Sequence, residues 1–141
     1  MNEKIITKAG EIVDTLASKQ GEGYCTIALI DESGYPTAST VSIIKADGIK
    51  QLSFGVSLDD NKARRVAKCN RASVCVNSLE YNITLVGTAE ILTDSKTKGE
   101  VWEPWFCEIW SGADDPDYCV LRFSTERYSL YVNEEVAAGN L

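Results

Sequence analysis

Histidine is missing from the 141-residue sequence. Its absence removes the usual general base, the histidine-dependent catalytic triads and most catalytic zinc sites. The five cysteines form no Cys-x-x-Cys pair, so zinc ribbons, thioredoxin-like redox sites and a secreted disulfide framework are not expected either. We therefore predict no metal site. Cys25, Cys75 and Cys119 fall in apolar strands and are interpreted as core residues.

Positive charge is also scarce. The chain has 14 Lys and Arg against 21 Asp and Glu, which gives a formal net charge of −7. Binding to a nucleic-acid backbone depends on clustered cations, so nucleic acid is not predicted as a partner. One basic cluster does occur, between Lys62 and Arg71. It is interpreted either as a site for a small anionic ligand or as a solvated helix face, and the sequence leaves both open.

Long apolar runs are absent too. No run approaches the roughly 20 apolar residues that cross a bilayer, and the first residues do not resemble a signal peptide. We expect no membrane association and a cytoplasmic location. Hydrophobic residues make up 44% of the chain and charged residues 25%, a balance typical of globular proteins. Residues 1–141 are enough to bury one core and are predicted to form a single domain.

What is present favours an α+β protein. Apolar residues at helical spacing predict an amphipathic helix over residues 2–19. Residues 58–62 open a second helix with two candidate N-caps, and residues 93–95 cap a third. Runs of β-branched and apolar residues predict the strands. These lie at 23–30, 35–45, 49–57, 71–77 and 81–92, followed by a hairpin over 118–132. Gly87 inside one strand indicates a bulge or a close backbone approach, and residues 133–141 are predicted to be a short tail.

The strands give an architecture of six or seven antiparallel strands that curl into a barrel with flanking helices. The first strands are expected to form a meander, with a hairpin turn at Ala46-Asp47-Gly48.

A polar junction stands out between residues 36 and 62. Its first strand is rich in hydroxyl side chains, and Ser57 and Lys62 lie beside a predicted helix start. Free backbone N–H groups and the helix dipole favour an anion there, so the junction is a candidate phosphate site. Strand, cap and helix is also the ordinary way to begin a helix, and the residues alone do not decide between the two interpretations.

Several short motifs occur in a fixed order along the chain. They are Gly34-x-Pro36, Phe54-Gly55-Val56-Ser57, Lys62 at a helix start, and Asn70-Arg71-x-x-Val74. With the order of the elements, they resemble the FMN-binding split-barrel family related to pyridoxamine 5'-phosphate oxidase, over about residues 3–132. A tryptophan, a glycine and Asp114-Asp115-Pro116-Asp117-Tyr118 resemble the general-stress-protein branch of that family.

The resemblance implies a homodimer that binds FMN in a groove between the subunits. By position, the backbone of Val41 and Ser42 would lie along the isoalloxazine ring. Val56 and Ser57 would face the ribityl chain and phosphate, and Asn61 and Lys62 would hold the phosphate. Trp102, Trp105 and Trp110 would either pack the last helices against the barrel, or one of them would cover the flavin ring, and Trp110 is counted among the predicted cofactor-binding residues.

This chain departs from the oxidases of that family in two ways. They have arginines where it has Ser39 and Asn61, which removes two cationic phosphate contacts. A substrate-holding arginine and histidine are also unmatched, so oxidation of pyridoxamine phosphate is not expected. The resemblance then leaves three hypotheses: an FMN-dependent oxidoreductase that takes electrons from NAD(P)H, a flavin- or B6-vitamer-binding protein without turnover, and a structural dimer that has lost its ligand.

Overall fold

The computed structural model describes residues 2–141. Helices separate groups of consecutive strands along the chain, which is an α+β pattern. The helices are α1 (Glu3–Ala17), α2 (Asn61–Lys68), α3 (Ser95–Val101) and a 3₁₀ helix (Pro104–Glu108). The strands are β1 (Tyr24–Ile30), β2 (Pro36–Ser42), β3 (Lys45–Asp47), β4 (Gln51–Ser57), β5 (Arg71–Asn77), β6 (Tyr81–Leu92), β7 (Tyr118–Val132) and β8 (Glu135–Asn140). The predicted caps are confirmed, because the carboxylates of Asp60 and Asp94 each accept a backbone N–H of the helix that follows.

All the strands pair antiparallel in one curled sheet, in the order β2-β1-β5-β6-β7-β4-β3, with β8 added to β7. The predicted fold class is therefore confirmed. The predicted initial meander is wrong, because β2 pairs only with β1, while β3 and β4 pair with each other at the opposite edge of the sheet. The path of seven strands matches the upper end of the predicted number, and β8 is one strand more.

The predicted final hairpin is instead the single strand β7. Residues 120–132 of it pair with β6, while β4 pairs with its first half and β8 with its second. The paired part of β7 has one residue more than the part of β6 that it faces. The register shift between Val86 and Gly87 accommodates this extra residue. The predicted bulge at Gly87 is confirmed: a Cβ on this residue would lie 1.9 Å from the carbonyl oxygen of Ser124.

The predicted tail is wrong as well, since residues 135–140 form β8. Asn133 and Glu134 form the turn before it, with φ of 49° and 71°. Two successive residues with positive φ are typical of the tight turn that suits the twist of a β-hairpin, and Asn tolerates this conformation without glycine. This turn contains no glycine, so the sequence carries no hairpin signal here.

The two edges of the sheet, β2 and β3, are joined by only two residues, Ile43 and Ile44, and we call this crossing the seam. The N–H of Ile43 donates to the carbonyl of Gly23 (2.9 Å), and the N–H of Ile44 donates to that of Ser53 (3.0 Å). The predicted turn at Ala46-Asp47-Gly48 moves to residues 48–50, because Ala46 and Asp47 pair with β4. Gly48 has the expected positive φ of 54°.

The seam separates two clusters of buried side chains, and its two isoleucines enter different ones. The larger cluster fills the barrel, and α1 covers it through Ile5, Ala9 and Val13. The smaller one packs against the outside of β4 and β7. Its buried members are Ile44, Val101, Phe106, Trp110, Tyr118 and Val120. Side chains of adjacent residues in an extended chain point in opposite directions, so Ile43 packs into the larger cluster and Ile44 into the smaller one.

Among residues 2–141, no helix has both the length and the apolar character needed to cross a membrane.

Candidate functional site

A cleft with a volume of about 230 Å³ lies over the seam, and we call it the seam cleft. Two of its walls are strand ends, which contribute Thr40, Val41 and Ser42 from β2 and Phe54, Gly55 and Val56 from β4. The start of α2 and the segment around the 3₁₀ helix complete it. Residues from four separate parts of the chain therefore meet at one place.

The β2 wall is the free edge of the sheet. Because β2 pairs only with β1, alternate backbone N–H and C=O groups along its other edge have no partner strand. The hydroxyl of Ser42 donates to the carbonyl of Gly21 at 2.7 Å and holds the end of β2 against the loop after α1. This wall can thus offer backbone donors and acceptors to a planar ligand.

The β4 wall is shaped by the absence of a side chain at Gly55. A Cβ at this position would lie 2.9 Å from Cζ of Phe106, so only glycine lets that ring approach the strand without displacement. Val56 beside it is almost completely buried. The close packing of Phe106 on β4 gives the cleft an apolar floor.

The aromatic wall consists of the tryptophans around the 3₁₀ helix. The indole N–H of Trp110 donates to the hydroxyl of Ser57 at 3.1 Å, and its ring packs against Tyr118 at a centroid distance of 5.0 Å. The indole nitrogen of Trp105, which also lines the cleft, is buried without a hydrogen-bond partner. The tryptophans pack the chain against the barrel, as one of the two interpretations predicted, and two of them also face the cleft.

The charged end of the cleft is the start of α2. The carboxylate of Asp60 accepts the backbone N–H of Lys62 at 3.1 Å, and its other oxygen lies 3.9 Å from Nζ of Lys62. The Lys62 side chain is 19% exposed and that of Asp60 is 32% exposed. Water therefore screens this pair only in part.

Five of the eight residues predicted to bind a cofactor line the seam cleft: Val41, Ser42, Val56, Lys62 and Trp110. Ser57 lies next to it and is held by the indole of Trp110. Ser39 is exposed on β2, and Asn61 is exposed at the first position of α2; neither lines the cleft. The binding role of all eight residues remains a prediction.

Sequence reasoning missed several cleft residues, above all Asp60, which it identified only as a helix cap. Tyr24 and Ile109 were missed as well, whereas Trp105 was one of the three tryptophans considered for the flavin ring. The only signal for Asp60 was its position two residues before Lys62, and a cap carboxylate near a lysine is too common to indicate a site.

Buried titratable groups near the cleft stay protonated at neutral pH. Burial raises the pKa of Tyr118 to about 12, and its hydroxyl donates to the carbonyl of Lys98 at 2.9 Å. Burial likewise raises the pKa of Cys119 to about 11 and that of Cys25 to about 12. These thiols are not reactive thiolates, which agrees with their prediction as core residues. The same prediction for Cys75 is wrong, because Cys75 is half-buried on the face of β5 opposite the core residues Val74 and Val76.

The curled sheet, open at a seam and flanked by helices, defines a split-barrel protein. The family model of pyridoxamine 5'-phosphate oxidase matches residues 12–131. The chain belongs to this family, and the resemblance seen in the sequence is confirmed.

Solved structures similar to this chain have the same fold. One is a Clostridium acetobutylicum protein described as related to general stress protein 26 of B. subtilis and as of the pyridoxinephosphate oxidase family. It is 28% identical, with a TM-score of 0.80 over 100% of this chain and 97% of the other.

Two further structures are more distant in sequence. General stress protein 26 from Bacillus anthracis is 15% identical, with a TM-score of 0.75 over 94% of this chain and 98% of the other. A pyridoxamine 5'-phosphate oxidase-related, FMN binding protein from Nostoc punctiforme is 13% identical, with a TM-score of 0.70 over 99% of this chain and 96% of the other. At these identities the likeness concerns the fold alone. A comparison with curated proteins gave no match.

Proposed function

We propose that the seam cleft binds FMN. The observation that carries this proposal is the position of Lys62, a half-buried cation at one end of a cleft with apolar and aromatic walls. The walls of β4 and the tryptophans suit a flat ring, and the free edge of β2 suits its polar rim. The hydroxyls of Thr40 and Ser42 suit a ribityl chain. These residues fit the group, and membership of the family together with the FMN-binding relative from Nostoc punctiforme supports the proposal.

We further propose that the protein is an oxidoreductase that takes electrons from NAD(P)H and passes them to an acceptor. FMN, when bound, supplies one- and two-electron transfer. The chain's own part is to bind and orient the cofactor and to keep water from one face of the ring. The lining of the cleft supports this role, because its titratable side chains are those of Tyr24, Asp60 and Lys62.

The small number of titratable side chains in the cleft also favours a second candidate, a protein that binds a flavin or a B6 vitamer for storage or sensing without turnover. A cleft with so few titratable groups has little with which to move a substrate proton. Steady-state turnover decides between the two candidates. The cytoplasmic location predicted from the sequence remains a prediction.

A homodimer with the cofactor at the subunit interface is the third part of the proposal. The outward face of the central strands carries small, uncharged side chains: Thr26 and Ala28 of β1, Ser73 and Cys75 of β5, and Thr84 and Val86 of β6. They form two continuous cross-strand rows, with Thr26 opposite Cys75 and Ala28 opposite Ser73. Arg71 and Arg127 border this surface, and an uncharged centre of this kind is typical of a subunit interface.

The position of this face supports a cofactor between the subunits. Three residues of the cleft, Tyr24, Thr40 and Ser42, lie on the same face of the sheet as Thr26, because Tyr24 pairs with Ser42 and Thr26 with Thr40. A second copy that covers the face would therefore come to lie beside the cleft.

The first experiment is a visible absorption spectrum of the purified protein, followed by heat release and identification of any chromophore. A flavin spectrum with FMN released, or uptake of added FMN by colourless protein, is the expected result. Failure to bind any flavin would contradict the proposal and support the hypothesis of a structural dimer without ligand. Oxidation of NADH or NADPH by the loaded protein, with dioxygen or ferricyanide as acceptor, separates the oxidoreductase from the binding protein.

A further inference from the structure

We propose that Asp60 limits the contribution of the phosphate group to binding, so that the seam cleft accepts riboflavin nearly as well as FMN. This inference rests on the proposed flavin site and concerns which flavin it selects. The ligand class is a flavin whose side chain ends in either a hydroxyl or a phosphate.

The charges that line the cleft cancel. Lys62 is the only Lys or Arg among the lining residues, and Asp60 is the only Asp or Glu. A phosphate dianion placed beside Lys62 would therefore also meet a carboxylate. The Lys62 ammonium would attract the phosphate and the Asp60 carboxylate would repel it from a similar distance, so the two interactions largely cancel. Both side chains are partly exposed, and water weakens both interactions.

Asp60 also accepts a hydrogen bond from a backbone N–H group that a phosphate would otherwise use. Its carboxylate accepts the backbone N–H of Lys62, one of the free amides at the start of α2. Anions bind at helix starts through these amides together with the helix dipole. Here the cap side chain already uses that interaction, so a phosphate gains less from it.

The other cations of α2 do not make up the deficit, because they serve elsewhere. The guanidinium of Arg64 donates to the carbonyl of Asp59. Nε of Arg65 lies 3.6 Å from the carboxylate of Glu32. With Lys68, these arginines line a separate concavity together with Asp31 and Glu32, and they do not line the seam cleft.

More acidic groups surround the same helix start. The carboxylate of Asp117 accepts the backbone N–H of Asp59 at 3.4 Å, and its carbonyl accepts that of Leu58 at 2.6 Å. The chain as a whole carries a formal charge of −7. Both features make the surroundings less favourable for a dianion than the lysine alone would suggest.

A neutral ribityl chain suits this end of the cleft better. Its hydroxyls can donate to the Asp60 carboxylate and accept from the Lys62 ammonium, so both charged groups keep partners. The hydroxyls of Thr40 and Ser42 extend the same kind of polar surface along β2. The pair of opposite charges is therefore a disadvantage for phosphate and an advantage for a hydroxyl.

The test compares riboflavin and FMN, titrated by flavin and tryptophan fluorescence, on the wild type and on Asp60→Asn. Asparagine has nearly the same shape and is an equally good helix cap, so the substitution removes charge while keeping the start of α2. We expect the two flavins to bind the wild type with dissociation constants within about tenfold of each other. In D60N, FMN should bind roughly 10 to 100 times more tightly, and riboflavin should change by less than about threefold.

Lys68→Ala is the matched control, because it removes a cation of α2 that lies outside the cleft. It should leave the ratio of the two dissociation constants unchanged. Circular dichroism of each variant checks that α2 and the sheet remain folded.

Two different failures are distinguishable. If the wild type binds FMN more than about a hundredfold more tightly than riboflavin, or if D60N leaves FMN affinity unchanged, this inference is overturned while the flavin site stands. If neither flavin binds the wild type at millimolar concentration, the proposed function fails, and the inference with it.

Discussion

At the scale of single residues, Lys62 carries the proposed contact to phosphate. Lys62→Ala would leave Asp60 at the phosphate end of the cleft without its partner. We expect FMN binding to weaken by roughly 10- to 100-fold, the loss typical of a charge-assisted hydrogen bond. Equilibrium titration measures this effect, with Lys68→Ala as the control from the same helix. Equal FMN affinities of K62A and wild type would remove the phosphate assignment.

Gly87 is a residue whose importance is purely steric. Gly87→Ala would place a Cβ 1.9 Å from the backbone oxygen of Ser124, so β6 or β7 must move. We expect the free energy of unfolding to fall by roughly 1–3 kcal/mol. Gly99→Ala is the matched control, because Gly99 lies within α3 with open space around it, and alanine there should stabilise by about 0.5–1 kcal/mol. Urea unfolding of both variants checks the opposite signs.

At the scale of elements, three aspartates organise the turns and helix caps: Asp31, Asp94 and Asp115. The Asp115 carboxylate accepts the backbone N–H groups of Ser111 and Asp117, each at 2.9 Å. These hydrogen bonds hold the pKa of Asp115 below its ordinary value. A hydrogen bond from the Thr37 hydroxyl lowers the pKa of Asp31, and one from the backbone N–H of Thr97 lowers the pKa of Asp94.

These lowered pKa values make the stability of the folded protein depend on pH. A pKa that is lower in the folded protein than in the unfolded chain adds stability above the ordinary carboxyl value, about pH 4, and this stability is lost as the pH falls through the folded value. We expect the wild type to lose thermal stability between about pH 5 and pH 2, and Asp115→Asn to lose less over the same range. Melting temperatures at successive pH values measure the slopes. Parallel curves for the two proteins would contradict this account of the loop.

At the scale of the whole molecule, the proposed dimer predicts a sharp response to charge on the uncharged sheet face. Ser73→Arg would place a cation at the centre of the interface, and burying it without a partner should raise the dimer dissociation constant about a hundredfold or more. Sedimentation velocity measures the change, and Ser33→Arg in the β1–β2 turn is the control. FMN affinity should fall together with dimerisation in S73R. A wild-type protein that sediments as a monomer at micromolar concentration would refute the dimer.

Much of the local structure could be predicted because it depends on neighbouring residues. The spacing of apolar residues in α1, the cap carboxylates of Asp60 and Asp94, and the role of Gly87 are all encoded within a few positions. The α+β class and the curled antiparallel sheet came from the number and pattern of the strands, and the split-barrel family came from the resemblance of the ordered motifs. The hairpin predicted within residues 118–132 failed because Ser124 and Thr125 are typical turn residues in sequence, whereas the neighbouring strand β6 keeps them extended.

The sequence by itself determined most of the helices and strands, though not β8 or the continuity of β7, and it placed a lysine at the start of α2. Only the tertiary structure decided that β2 and β4 meet across the two isoleucines of the seam, and that Trp105 and Trp110 close the cleft from a segment more than forty residues beyond Lys62. The physical reason is that hydrogen-bond periodicity and capping act over a few residues, while strand order and packing act between residues distant in the chain. Asp60 belongs to both levels: its role as a cap is local, and its place beside Lys62 in the cleft exists only once the barrel has curled.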